Sequence, residues 1–237
     1  MNIAILIGCI IFIYAIIPNF YNKYISSKVI RRINTRDKKI ALTFDDGPDA
    51  RYTNRLLDLL KKYDVKASFF VVAHSTYGNK KIVERIIDEG HTVGIHSLKH
   101  KHTWLSAPFE TIRDFKESLR IFDELGVKTI FFRPPWGMFN ILTQLMVNKL
   151  GLKTVLYSMS TKDWKNNISS DDIINKIVND VKNGDIILLH DSGGAKGAPN
   201  KTIKALEYVI PKLIEDGYEF VTVETACQGE DIYEQKA

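Results

Sequence analysis

Leu42-Thr43-Phe44-Asp45-Asp46-Gly47-Pro48, residues 42–48, carries an apolar run into two adjacent carboxylates and stops it with Gly-Pro. Neighbouring residues of a strand point to opposite faces, so two acids in mid-strand stay apart. At a strand end that turns, both converge on one place, where a cation relieves their repulsion. A bare Asp-Asp-Gly-Pro would read as a turn with two solvated acids. The rest of the chain overturns that reading.

Outward from this stretch the pattern alternates. Strand-like runs fall at Lys39–Phe44, Ala67–Ala73, Thr92–His96, Thr129–Phe132, Thr154–Met159, Asp185–His190 and Phe220–Val223. Helical spacing of apolar residues marks Tyr52–Tyr63, Lys80–Asp88, Phe109–Leu125, Phe139–Leu150, Asp171–Val181 and Thr202–Glu215 between them. Ser169 and Ser170-Asp171 supply a helix start, and Gly90, Gly126, Gly151, Gly184 and Gly217 supply stops. Alternating strands and helices predict parallel α/β architecture, either a barrel or an open sheet.

In such folds chemistry collects at the C-terminal ends of the strands. Here those ends carry Asp45-Asp46, His96-Ser97-Leu98-Lys99-His100, Arg133-Pro134-Pro135-Trp136-Gly137, Asp163-Trp164 and Leu188-Leu189-His190-Asp191. His96 and His100 lie four apart, so one helical turn would bring both imidazoles to one metal. With a carboxylate from a neighbouring strand end they would form a facial set, leaving positions open for water and substrate.

These motifs, in this order and spacing, resemble the polysaccharide deacetylases with a NodB-like domain, carbohydrate esterase family 4. The resemblance covers roughly residues 38–225. It implies a distorted (β/α) barrel of about seven parallel strands. Asp46, His96 and His100 are then the ligands of one divalent ion, zinc first, with cobalt, nickel or manganese as alternatives. Asp45 is the general base, with Arg133 holding it ionised and oriented, and the Trp136 N–H stabilises the oxyanion. His190 is the general acid, charged and oriented by Asp163. Trp164 and Leu188 wall the acetyl pocket, and Pro134 joins them as a substrate-side residue. The implied activity removes acetyl from N-acetylglucosamine-type sugars in a glycan or glycolipid. The alternatives are an O-acetyl esterase on a polysaccharide such as xylan, and a catalytically silent carbohydrate-binding relative.

Two positions depart from the family pattern. Ser160 stands where the first Asp of a DxxDW motif is common, which removes a local acceptor but leaves Asp163-Trp164. Trp136 stands where Tyr is common, and only its main-chain donor is needed. His74 reads as a loop histidine, His91 and His102 as surface or supporting residues, and Trp104 as either a sugar platform or core. Gly193-Gly194-Ala195-Lys196-Gly197 lacks phosphate-loop spacing and reads as a flexible rim.

The N-terminus is organised differently. Residues 1–22 contain no charged side chain, and Ile3 to Ile17 is almost wholly apolar. No basic stretch precedes it and no small-x-small cleavage site follows it, so it reads as an uncleaved anchor, with Tyr14, Tyr21 and Tyr24 as interface residues. Residues 23–39 carry seven basic side chains against Asp37, a net of +6. The rest of the chain is left at −1, being the total of +5 less that +6. A near-neutral body argues against nucleic-acid binding, whereas a basic segment beside a span suits anionic lipid. The flanking charge favours a cytoplasmic domain, and the family resemblance favours the cell surface. Cys9 and Cys227 give neither a disulfide framework nor a CxxC pair. The expected organisation is an anchor over 1–22, a linker over 23–38, a deacetylase domain over 39–226 and a polar tail over 227–237.

Overall fold

The computed structural model describes residues 2–102 and 104–228; most of the expected tail, from residue 229, lies outside them. Helix α1 (Ile3–Ile25) is followed by β1 (Val29–Ile30), β2 (Lys39–Asp45), α2 (Thr53–Lys62) and β3 (Ser68–Val71). Next come α3 (Lys80–Asp88), β4 (Thr92–Ile95), α4 (Pro108–Glu124), β5 (Phe131–Phe132), α5 (Ile141–Lys149) and β6 (Lys153–Val155). The chain continues through β7 (Met159–Ser160), α6 (Ser170–Asp180), β8 (Ile186–His190), α7 (Ala198–Glu215), β9 (Glu219–Phe220) and α8 (Val223–Gln228).

The strands pair in parallel in the order β1-β6-β5-β4-β3-β2-β8-β7, with β9 added to the start of β2. Strands β6 and β7 sit near opposite ends of this order, yet only residues 156–158 separate them. The sheet must therefore curl until its ends almost meet. It does not close, because β1 and β7 each have one hydrogen-bonded neighbour. The result is a curled half-barrel, the expected fold class in open form.

Side-chain alternation sorts β2 into two cores. Ile40, Leu42 and Phe44 face outward into the layer beneath the helices, together with Phe69, Val71, Ile187 and Leu189. Ala41, Phe70, Val155 and Ile186 face inward and pack with Val223 and Ala226 of α8. The same period of two turns Thr43 and Asp45 inward with Ala41, and His190 inward with Ile186 and Leu188. Because both faces are covered, the central strands read as unbroken apolar runs.

Three sequence expectations change. The segment expected as a linker, 23–38, contributes edge strand β1, and Val29 and Ile33 are buried. Two residues within a basic stretch are too short to show a strand period. The run Thr154–Met159 is two strands, broken where Leu156 N–H donates to Ile30 and Ser158 N–H to Ile186. Helix α7 begins at Ala198, four residues earlier than expected, with Pro199 in its first turn, where a missing N–H costs nothing.

Candidate active site

The five strand-end motifs converge at the C-terminal mouth of the half-barrel. Asp45 is in register with His190 on β8 and with Phe70 on β3. Asp46 follows with φ 75°, so the chain reverses sharply and the second carboxylate swings to the same side as the first. Gly193 lies against it: a Cβ there would meet Asp46 Oδ2 at 2.7 Å. The glycine run expected as a flexible rim is thus close-packed at this point, and only glycine leaves the carboxylate room.

Arg133 organises the base side. Its side chain is 1% exposed and spends its donors on four acceptors. Nη1 donates to Asp45 Oδ1 at 2.7 Å and Thr43 Oγ1 at 2.8 Å. Nε donates to the Val155 carbonyl at 3.1 Å and Nη2 to the Leu156 carbonyl at 2.8 Å. The guanidinium also stacks 4.0 Å from the Phe70 ring centroid. Burial pulls its pKa down and Asp45 opposes that, and the paired carboxylate compensates the buried charge.

Asp46, His96 and His100 form a triad whose ligand atoms all lie within 4.8 Å of one another. His100 Nε2 is 3.0 Å and His96 Nε2 3.4 Å from Asp46 Oδ1. That oxygen is nevertheless buried without a well-directed hydrogen bond. A buried carboxylate oxygen facing two imidazole nitrogens fits a metal ligand, so the donor set suits a divalent ion. The tautomer agrees: His96 Nδ1 meets the Arg133 carbonyl at 2.8 Å, and a carbonyl only accepts, so Nδ1 carries the proton. Nε2 is then free to ligate. Burial works against a proton on His96, but the Asp45 and Asp46 carboxylates outweigh it and raise its pKa. The same anionic field favours a bound cation.

His190 ends β8 beside Asp45. Its Nδ1 pairs with Asp163 Oδ1 at 2.9 Å, and its own N–H reaches Asp163 Oδ2 at 2.8 Å. Burial disfavours its charge, but Asp163, Asp45 and Asp46 outweigh that and push its pKa up to about 9. Trp164 packs edge-on at 5.1 Å between ring centroids. Leu188, two residues before His190 on the inward face, is buried.

Trp136 has φ 55°, which aims its N–H away from the turn. Gly137 N–H donates to the Pro134 carbonyl and Met138 N–H to the Pro135 carbonyl, whereas nothing among the described residues accepts from Trp136 N–H. The Trp136 ring is 43% exposed and stacks on His102 at 3.7 Å, so His102 belongs to the rim of the site. Pro134 is buried, and what it visibly contributes is the carbonyl that closes this turn. Ser160 Oγ accepts the Lys162 N–H at 3.4 Å, a weak acceptor at the position where the family commonly has Asp.

Several supporting residues carry no sequence signal. Thr202 Oγ1 donates to Asp163 Oδ2 at 2.8 Å from 39 residues away. Asp114 of α4 receives the Leu98 N–H on both oxygens at 3.1 Å and so clasps the loop between the two histidines. Asp191 takes the Thr53 hydroxyl at 2.5 Å beneath Gly47. His91, expected at the surface or in support, is buried with Nδ1 accepting the Ala67 N–H at 3.1 Å. His74, expected in a loop, is exposed on a short 3₁₀ helix over Ala73–Thr76, edge-on to Tyr77 at 5.6 Å.

A curled parallel sheet with carboxylates and imidazoles gathered at its strand ends defines a β/α protein with a candidate hydrolytic centre. Residues 32–155 match the family model described as polysaccharide deacetylase, and the chain belongs to that family, carbohydrate esterase family 4. A peptidoglycan-N-acetylglucosamine deacetylase of Bacillus cereus is 35% identical, over 81% of this chain and 89% of its own. The deacetylase PgdA of Listeria monocytogenes is also 35% identical, but the match spans 38% of that protein. A crystal structure of the Bc1960 peptidoglycan N-acetylglucosamine deacetylase superposes with a TM-score of 0.80 at 30% identity, covering 90% of this chain and 97% of that one. The fold is also shared by BA3943 of Bacillus anthracis, a family 4 pseudoenzyme, with a TM-score of 0.76 at 25% identity over 91% of this chain and 72% of that one.

Proposed function

We propose that this chain is a metal-dependent hydrolase that removes N-acetyl groups from N-acetylglucosamine-type sugars, held at a membrane by α1. One arrangement carries the reading: two proton carriers, Asp45 with Arg133 and His190 with Asp163, end neighbouring strands beside the Asp46, His96 and His100 cluster. The peptidoglycan deacetylase relatives support the substrate class.

Asp46, His96 and His100 are the residues that would hold one divalent ion; two imidazoles and a carboxylate with open positions suit zinc. When bound, such an ion supplies Lewis acidity to water and to the acetamide carbonyl. Asp45, gripped and oriented by Arg133, takes a proton from the attacking water. The free Trp136 N–H donates to the carbonyl oxygen as it becomes negative. His190 Nδ1–H donates to Asp163, so Nε2 faces the leaving group and protonates the amine nitrogen as the C–N bond breaks. Leu188 and Trp164 line the side that receives the acetyl methyl.

Acetate release from chitooligosaccharides, peptidoglycan and acetylxylan tests the reading. Release from the first two, lost on chelation and restored by zinc, is the expected result. Release from acetylxylan alone would replace N-deacetylation by ester hydrolysis, and release from none would mark a silent relative.

A further inference from the structure

A cavity of about 570 Å³ opens beside the cluster, with His100 and Trp136 at its inner end. Its wall combines three exposed cations, Lys99, Lys101 and Arg113, with Leu105 and Phe109, which are 56% and 69% exposed. Two acids also line it, but both serve the backbone. Glu110 accepts the Ala107 N–H at 3.0 Å, and Asp114 the Leu98 N–H. Among the described residues no ion pair engages any of the three cations. The wall therefore sets three cations against two backbone-bonded acids beside an apolar patch, an excess of positive charge and apolar surface that a neutral, water-soluble glycan does not need.

Helix α1 lands on the same rim. Tyr14, at its midpoint, donates to the Ser106 carbonyl at 2.8 Å, and Ser106 lines the cavity. Asn19 Oδ1 takes the Phe139 N–H at 3.1 Å, and the Arg31 guanidinium binds the carbonyls of Asn22 and Lys23. The docking stripe is Ala15, Pro18, Asn19 and Asn22, at helical spacing and partly or fully buried. Ile13, Ile16, Ile17 and Phe20 remain exposed on the far side. With α1 docked from residue 14 onward, residues 3–13 project about 16 Å at roughly 1.5 Å per residue. That is about half of a ~30 Å hydrocarbon core. Docked in this way and set in a bilayer, α1 would enter one leaflet and hold the cavity mouth, with Leu105 and Phe109, at the headgroup level.

Building on the deacetylase reading, we infer that the substrate is a lipid-linked sugar phosphate: an N-acetyl sugar joined through phosphate to a membrane-embedded chain. The acetamide reaches the Asp46, His96 and His100 cluster, and the phosphate lies against Lys99, Lys101 and Arg113. The hydrocarbon follows Leu105, Phe109 and the exposed face of α1. Charge-assisted bonds to phosphate and continuity of the apolar surface supply the recognition.

The test uses the full chain in phosphatidylcholine vesicles with three substrates: polyprenyl-diphosphate-N-acetylglucosamine, UDP-N-acetylglucosamine and chitotetraose. The lipid-linked sugar should be deacetylated fastest. Its kcat/KM relative to that of chitotetraose should fall about tenfold or more in Lys101→Gln/Arg113→Gln and in Phe109→Ser. The chitotetraose rate in each variant shows that the fold is intact. An unchanged ratio, or UDP-sugar turnover equal to that of the lipid-linked sugar, would overturn the inference and leave the deacetylase reading standing. Acetate from none of the three would overturn both.

Discussion

Arg133 touches both halves of the candidate mechanism: its carbonyl takes the His96 Nδ1–H at 2.8 Å, while its guanidinium grips Asp45 at 2.7 Å. One residue thus fixes the tautomer of a ligand candidate through its backbone and the position of the base through its side chain. Arg133→Met would strip four acceptors of their donor and leave the buried Asp45 without its guanidinium partner, at a cost of about 3–5 kcal/mol. Arg133→Lys keeps the charge but not the fork. We expect the Met variant to unfold at markedly lower temperature. The Lys variant should fold yet lose ~10²-fold in kcat from misplacement of Asp45. Thermal melts and acetate assays on both variants check this, and a Lys variant with native turnover would remove Arg133 from its role.

The ligand assignment separates from the base assignment by metal analysis. His96→Ala and His100→Ala should lose bound metal and activity together. Asp45→Asn should retain metal and lose ~10²–10⁴-fold in rate, the usual cost of a missing general base. Gly193→Ala should cost roughly 10–100-fold in metal affinity, since its Cβ would push on the outer oxygen of Asp46. Equal metal content in wild type and His100→Ala would refute the assigned site.

Much of this was legible because strand-end chemistry is written in short contiguous motifs. Asp45-Asp46, His96 through His100, Arg133 through Gly137, Asp163-Trp164 and Leu188 through His190 all meet at one mouth. What stayed hidden depends on distant packing. Thr202 reaches Asp163 only because α7 crosses behind β8, and a threonine in a helix carries no mark of that contact. The α1 docking stripe was hidden by its neighbours: in a run apolar on every face Ala15 does not announce a partner, and Asn19 and Asn22 lie just beyond that run. Nor could spacing show that residues 156–158 bend the sheet, because the flanking strands are equally apolar.

The proton-donor assignment has a sign that pH can read. With its pKa pushed up to about 9, His190 is protonated at neutral pH, as an acid must be. The basic limb of kcat/KM should therefore fall at or below about 9, and a bound cation offsetting Asp45 and Asp46 lowers it. Asp163→Asn removes the nearest anion and should move that limb toward lower pH. For stability the same raised pKa contributes fully below the ordinary value of 6.5 and is lost as pH rises toward about 9. A basic limb unmoved in Asp163→Asn would point to another donor.

With α1 as the proposed anchor, labelling reads which side of the membrane the domain occupies, and the structure decides where the label belongs. Cys227, the one cysteine outside α1, is partly buried in α8, and burial pushes its thiol up to about 11. At neutral pH that leaves roughly one thiolate in 10⁴, and the thiolate is the reacting species. Native Cys227 should therefore resist maleimide even where the reagent has access. Glu207→Cys on the exposed face of α7 provides an open thiol outside every strand-end motif. The seven basic residues over 23–39 are drawn to the anionic cytoplasmic leaflet, so the domain is expected on the cytoplasmic face. A membrane-impermeant maleimide should then label Glu207→Cys only after lysis. Labelling in intact cells would place the domain outside and show that the flanking charge does not set its orientation.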